Sequence, residues 1–316
     1  MGQYHAFRKN GVMTMNKYRL HSNDMFQRRE EGLLDVDKVV FLSVEGNDTE
    51  VDYFNNLEKF RKELGINSMV HVHVLGRAKR DTNSSVEAVL ELLEEYIELR
   101  KENGLPQSLR NSIPSKYSND FILSYLHNEI GDCALKKEFE KDLEMAGIDY
   151  SYSLFLKKYK CNNSDNDNDV FGIVIDRDWQ THTPEQLKMV YEKCKNNGYM
   201  FFISNPCFEF WLLLHLKNVK IEYASQLNDF LKNEKVSSKH TFTSKKISEL
   251  ANHSKTISTS TFQKYYLPNI DVACDRAYKY FTVDCDELIG ANKGDESELG
   301  SLGTNLPKLF SVLKNK

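Results

Sequence analysis

Apolar residues along this chain fall into short unbroken runs separated by amphipathic stretches of helical period. Lys38-Val39-Val40-Phe41-Leu42-Ser43-Val44 is the first run. It is β-branched-rich and lacks polar alternation, the pattern of a strand covered on both faces. It stops at Glu45-Gly46-Asn47-Asp48, which reads as a turn. Thr49 then stands as a candidate helix cap with Asp52 three positions on, and Tyr53, Phe54, Leu57 and Phe60 recur at helical spacing. A second strand is expected over Met69–Leu75, followed by a long amphipathic helix from about Ser84 to Lys101 whose apolar stripe includes Val86, Val89, Leu90, Leu93 and Tyr96.

Residues 104–168 break this rhythm. Pro106 and Pro114 punctuate them, helical patterns follow around Phe121–Ile130 and Ala134–Met145, and a polar run closes the segment. It reads as a mostly helical insertion. The alternation resumes with a third strand, Val170–Ile175, a helix from about Pro184 to Lys195, and a fourth strand, Tyr199–Ile203. Next comes a helix carrying Phe208, Trp211, Leu212, Leu214 and His215, with Pro206 suited to its first turn. Residues 218–316 look helical with loops. The expected organisation is a basic arm over 1–35, two halves of one domain over 36–103 and 169–217 around the insertion, and a C-terminal helical region. Strand–helix alternation of this kind describes an α/β fold, a Rossmann-like mainly parallel sheet flanked by helices. Right-handed crossovers place the C-terminal ends of its strands on one edge, where ligands of such sheets bind.

That edge collects acids. The first strand delivers Glu45, the third Asp176 and Asp178, and the fourth leads to Glu209 one helical turn on. Asp176 and Asp178, two apart in an extended segment, would point to one side. Clustered carboxylates repel unless a cation neutralises them, and Mg²⁺ or Mn²⁺ is the economical partner, suited to phosphoryl chemistry. The competing reading makes these acids turn and cap residues. Arg77, Lys79 and Arg80 follow the second strand toward the same edge and could meet a phosphate backbone, or form a solvated turn. His71 and His73 share one strand face and read as sheet-facing rather than ligating. His215 reads as a core or capping residue before an acid–base group.

Composition narrows the classes. The 316 residues are 40% hydrophobic and 28% charged, ordinary for a globular chain, with a net charge of −4 that gives no general attraction to nucleic acid. No run approaches a membrane span, no secretory signal is expected, and the six scattered cysteines read as reduced thiols, so a cytoplasmic setting is expected. Neither a Walker A loop nor GxGxxG is present, so any ATP-driven step would belong to a separate partner.

Four blocks together resemble a known family. Val44-Glu45-Gly46 with Thr49-Glu50 and Tyr53-Phe54, then Asp176-Arg177-Asp178, then Ser204-Asn205-Pro206 through Leu214-His215, then Gly303-Thr304-Asn305 with Lys308-Leu309, look like the motifs of the RloB (AbiLii-like) proteins in their order. Those proteins are similar to the Toprim domain of topoisomerases, primases and related nucleases. The resemblance implies that Glu45, Asp176 and Asp178 bind Mg²⁺ or Mn²⁺, with Glu209 assisting. It further implies a nuclease cutting RNA or DNA in phage defence or abortive infection, beside an ABC-type ATPase. Lys308 in the last block is the candidate cationic clamp. A non-catalytic effector that binds nucleic acid or the ATPase, and a metal-dependent small-molecule phosphoesterase, stay open beside it. A closed homodimer is the default assembly. The insertion over 104–168 departs from the pattern.

Overall fold

The computed structural model describes residues 34–35, 38–46, 48–67, 69–75, 85–100, 111, 113–126, 130–146, 159–160, 168–253, 255–291 and 296–314. Strand β1, Lys38–Val44, is followed by helix α1, Thr49–Lys59, then β2, Val70–Leu75, and α2, Val86–Arg100. Helices α3, Asn119–Leu126, and α4, Ala134–Ala146, lie in the insertion. The alternation returns with β3, Val170–Asp176, α5, Pro184–Asn197, β4, Met200–Asn205, and α6, Phe208–Leu216. The C-terminal region supplies α7, Phe242–Ala251, α8, Ile270–Tyr280, and the short α9, Cys285–Ile289. Strand β5, Gly303–Thr304, and α10, Pro307–Lys314, complete it. The sheet order is β2-β1-β3-β4-β5; all pairs are parallel except β4 with β5. The expected α/β fold with a mainly parallel sheet is therefore present.

Both faces are covered, which is why β1, β3 and β4 read as nearly continuous apolar runs. Val40, Leu42 and Val44 face one layer with Tyr53, Leu57, Trp211 and residues of α7, α8 and α10. Val39, Phe41, Ile173 and Ile175 face the other with Val86, Leu90, Leu187 and Leu288. Helix α6 buries every residue from Phe210 to His215, so it has no solvent stripe. The insertion has a small core of its own, built from Ile113, Tyr117, Ile122, Tyr125, Phe139 and Leu143.

Several local expectations change. Thr49 and Asp52 do not form a capping box: the Thr49 hydroxyl donates to the carbonyl of Lys255 at 2.6 Å, and Asp52 accepts the Ile257 N–H at 2.8 Å. Both therefore pin the C-terminal region to α1. Pro206 stands outside α6, after a cis Asn205–Pro206 bond, and Cys207 is the N-cap. Strand β4 continues through Ser204 and Asn205 because the C-terminal segment pairs with them. Asn305 extends that pairing with its side chain, which accepts the Ile203 N–H at 2.7 Å and donates to the Phe201 carbonyl at 2.8 Å. Gly303 is required there, since a Cβ would lie 2.2 Å from the Thr282 carbonyl oxygen.

Candidate active site

The C-terminal ends of β1, β3 and β4 meet on one edge, as parallel topology demands. Glu45 follows β1 directly. One of its carboxylate oxygens accepts the backbone N–H of Asp176 at 3.0 Å, and the other lies 3.3 Å from His182 Nε2. Asp176, the last residue of β3, accepts the Phe208 N–H at 2.8 Å, at the first turn of α6. Glu209 stands in that same turn. Residues from three strand ends are thus tied together by backbone donors before any ligand is considered.

A fourth acid joins them. Glu50 is buried in the first turn of α1, and its carboxylate sits against Gly46, where a Cβ would come within 2.0 Å of it. The glycine of the Val44-Glu45-Gly46 block therefore seats Glu50. Burial first, then the charge of Glu209, raises the Glu50 pKa to about 8, and Glu45 adds to this. Asp176 is pushed well above the ordinary carboxylate range by burial and by Glu45, Glu50 and Glu209 in turn. Burial and neighbouring carboxylates both disfavour the charged form of an acid, and a bound cation would reverse that effect.

The aspartates on either side of Arg177 reach one cavity by a turn rather than by an extended segment, because Asp178 has φ +22°. Arg177 points the other way and is fully buried. Its guanidinium donates to the carbonyls of Ile289 at 2.6 Å, His182 at 2.8 Å and Glu298. His182 is buried beneath Glu45. Burial opposes its protonation, but the Glu45 hydrogen bond and the charges of Glu45, Asp178 and Glu87 outweigh this and raise its pKa.

Asp176, Asp178 and Glu209 line a half-enclosed cavity of about 280 Å³. Its other wall comes from the C-terminal region: Asn233, Lys235, Lys239, His240 and Lys255. Cys207 also lines it, with a buried thiol that burial and the charges of Glu209 and Asp176 push far up, which makes it a poor nucleophile.

A model of the RloB-like protein family matches residues 40–311. The chain belongs to the RloB-like family. No curated protein and no solved structure matches it significantly. The RloB-like match spans the insertion and the C-terminal helices, which the four motif blocks leave out. It also gives those blocks a structural meaning. The Tyr53 hydroxyl lies 3.1 Å from Nε2 of His215, whose Nδ1 donates to the Trp211 carbonyl at 2.9 Å, so the first and third blocks meet in the core. His215 is accordingly a core residue. His71 pairs with Glu58 at 2.8 Å, and His73 packs edge-on against Phe41, away from the acids.

Of the anticipated site residues, Glu45, Asp176, Asp178 and Glu209 come together. Lys308 does not join them: it lies on α10, and its charge acts on Cys285. Arg77, Lys79 and Arg80 lie outside the described residues, as does the basic arm up to residue 33. Glu50, His182, Lys235 and Lys255 were not anticipated. Glu50 could have been found from its place in the Thr49-Glu50 block; the others carry no sequence signal. The donor set is all carboxylate oxygen, which suits a hard divalent ion. Among the described residues, no three acid, histidine or cysteine side chains stand close enough together to hold a metal ion as they are placed. Among the described residues, no helix is long and apolar enough to cross a membrane.

Proposed function

We propose that this RloB-like protein is a Mg²⁺- or Mn²⁺-dependent phosphodiester hydrolase acting on RNA or DNA. The observation that carries the reading is the gathering of Glu45, Glu50, Asp176 and Glu209 at the ligand-binding edge of a parallel sheet, where burial and the neighbouring charges raise the proton affinity of Glu50 and Asp176. Glu45, Asp176 and Asp178 would hold the ion, with Glu209 and Glu50 completing the negative field. A divalent ion bound there supplies charge neutralisation at a phosphoryl oxygen and a more acidic water. The chain itself fixes Glu45 between His182 and the Asp176 N–H, and faces the acids with lysines that can take phosphate oxygens. A Toprim-related reading, a phage-defence or abortive-infection role and a separate ABC-type ATPase partner accompany this proposal through the family resemblance, and a cytoplasmic setting goes with them.

The test is incubation of purified protein, alone and with its ATPase neighbour, with RNA and DNA in Mg²⁺ or Mn²⁺. Cleavage is expected to fall at least about 100-fold in Asp176→Asn and in Glu45→Gln, the scale on which removal of a principal electrostatic group acts. Undiminished cleavage in both variants would exclude the acid cluster from the reaction.

A further inference from the structure

The wall opposite the acids is a built element. After Phe230 the chain turns at Asn233, in the left-handed conformation at φ +44°, and folds back on itself with Lys235 bridged to Thr241. The Val236 N–H donates to the His240 carbonyl at 2.9 Å, the Phe242 N–H to the Glu234 carbonyl at 2.9 Å, and Ser237 Oγ accepts the N–H groups of Lys239 and His240. Asn233 anchors this hairpin beside the acids: its amide donates to Cys207 Sγ at 3.4 Å and its oxygen accepts the Thr243 N–H at 2.9 Å. Trp179, the residue after Asp178, donates its indole N–H to the Lys232 carbonyl at 3.0 Å and secures the same end of the hairpin. Lys235 and Lys239 on the hairpin, with Lys255 beside it, line the cavity, and none of the three ammonium groups is in an ion pair among the described residues.

Three acids and three lysines thus share one cavity. Acids alone repel a phosphate. Unpaired lysines across from them supply the countercharge that lets a polyanion approach. The volume restricts what enters: about 280 Å³ lies at the bottom of the range for small-molecule sites, roughly 300–1,000 Å³. A strand that inserts a phosphate and its sugar there must leave its base-paired partner outside. We infer that the Asn233–Thr241 hairpin is a phosphate clamp that restricts this protein to unpaired polynucleotide strands, with the half-buried Trp179 at its base as an aromatic surface for a neighbouring base.

The inference rests on the phosphodiesterase reading of the cavity but is tested by binding rather than turnover. Fluorescence anisotropy with unpaired RNA and DNA oligonucleotides, and with a duplex of the same sequence, is measured in Ca²⁺ and again in EDTA. Unpaired strands are expected to bind at least 10-fold more tightly than duplex. Lys235→Ala/Lys239→Ala is expected to lose at least 10-fold and to flatten the salt dependence by about 1.4 in log–log slope, two phosphate contacts at about 0.7 each. Lys235→Arg/Lys239→Arg, keeping the charge, should restore binding, and thermal unfolding should match wild type because both side chains are exposed. Equal affinity for duplex, or unchanged affinity in the alanine variant, overturns the clamp. A lysine-dependent affinity that is identical in Ca²⁺ and EDTA supports the clamp while counting against the metal.

Discussion

Arg177 shows how a charged side chain can serve a site without touching it. It lies between two cavity-lining aspartates yet is wholly buried, and its guanidinium spans carbonyls of α9, of the loop before α5 and of Glu298. Its backbone N–H also donates to the Ser204 carbonyl at 2.8 Å, which ties the turn to β4. The turn that aims Asp178 is therefore held from below by one planar fork. Arg177→Ala leaves these carbonyls unsatisfied, and at about 1–3 kcal/mol each it is expected to cost at least about 3 kcal/mol in urea unfolding. Arg177→Lys should recover only part, because an ammonium cannot reach three divergent acceptors in a plane. The same scale explains what sequence could disclose of the site. Glu45, Asp176 and Asp178 were legible because strand ends in a parallel sheet must share an edge. Glu50 was legible only as a member of the Thr49-Glu50 block, since its role comes from burial against Gly46; His182 was hidden because its role comes from burial against Glu45, and Lys235 and Lys255 because a loop distant in sequence folds over the acids.

At the scale of the element, α6 is the axle of the molecule. Its first turn presents Phe208 N–H and Glu209 to the site, its body is buried all round, and Arg276 of α8 satisfies its last carbonyls at Leu214 and His215. His215 is enclosed by Tyr53, Trp211 and Tyr266, with Arg276 the nearby charge. Burial lowers its pKa from 6.5 to about 3, so the folded state holds it neutral while the unfolded chain protonates it. Its contribution to stability is thus complete above pH 6.5 and is lost progressively as pH falls toward 3, at about 1.4 kcal/mol per pH unit. The difference in unfolding free energy between wild type and His215→Gln, followed from pH 7.5 to 5, should shrink by about 2 kcal/mol; a constant difference would show that His215 is not held neutral. Elements were readable where they carry their own pattern: β1, β3 and β4 announce themselves as nearly unbroken apolar runs, and β2 as an alternation of valine and histidine. Strand β5 does not, since Gly303–Thr304 is too short for any periodicity and exists only because β4 offers an edge. The start of α6 was misjudged because Pro206 is compatible with a first turn, while Asp176 captures the N–H of Phe208 and sets the boundary there.

Across the whole molecule, the C-terminal region is part of the core that carries the site. Leu306, Leu309, Phe310 and Leu313 are buried in the same cluster as Val40, Val174 and Trp211, whereas the buried apolar residues described in the insertion form a separate cluster. Ending the chain at Leu302 removes those four side chains and the Asn305 bridge to β4. At about 1.5–3 kcal/mol per buried side chain the loss is at least roughly 6 kcal/mol, comparable to the full stability of many domains. Such a chain is expected to be insoluble or to lack a cooperative thermal transition by circular dichroism, and a soluble, cooperatively melting product would contradict this account. The position of β5 also bears on how such a protein is made. Synthesis delivers Glu45 well before Asn305, yet the strand that leads to α6 acquires its edge partner only from the segment around Gly303–Asn305. A nascent chain that has emerged only as far as α8 has all the acids of the site but not the segment that pairs with the outer edge of β4, so the sheet beneath the proposed site would close only once Asn305 has left the ribosome.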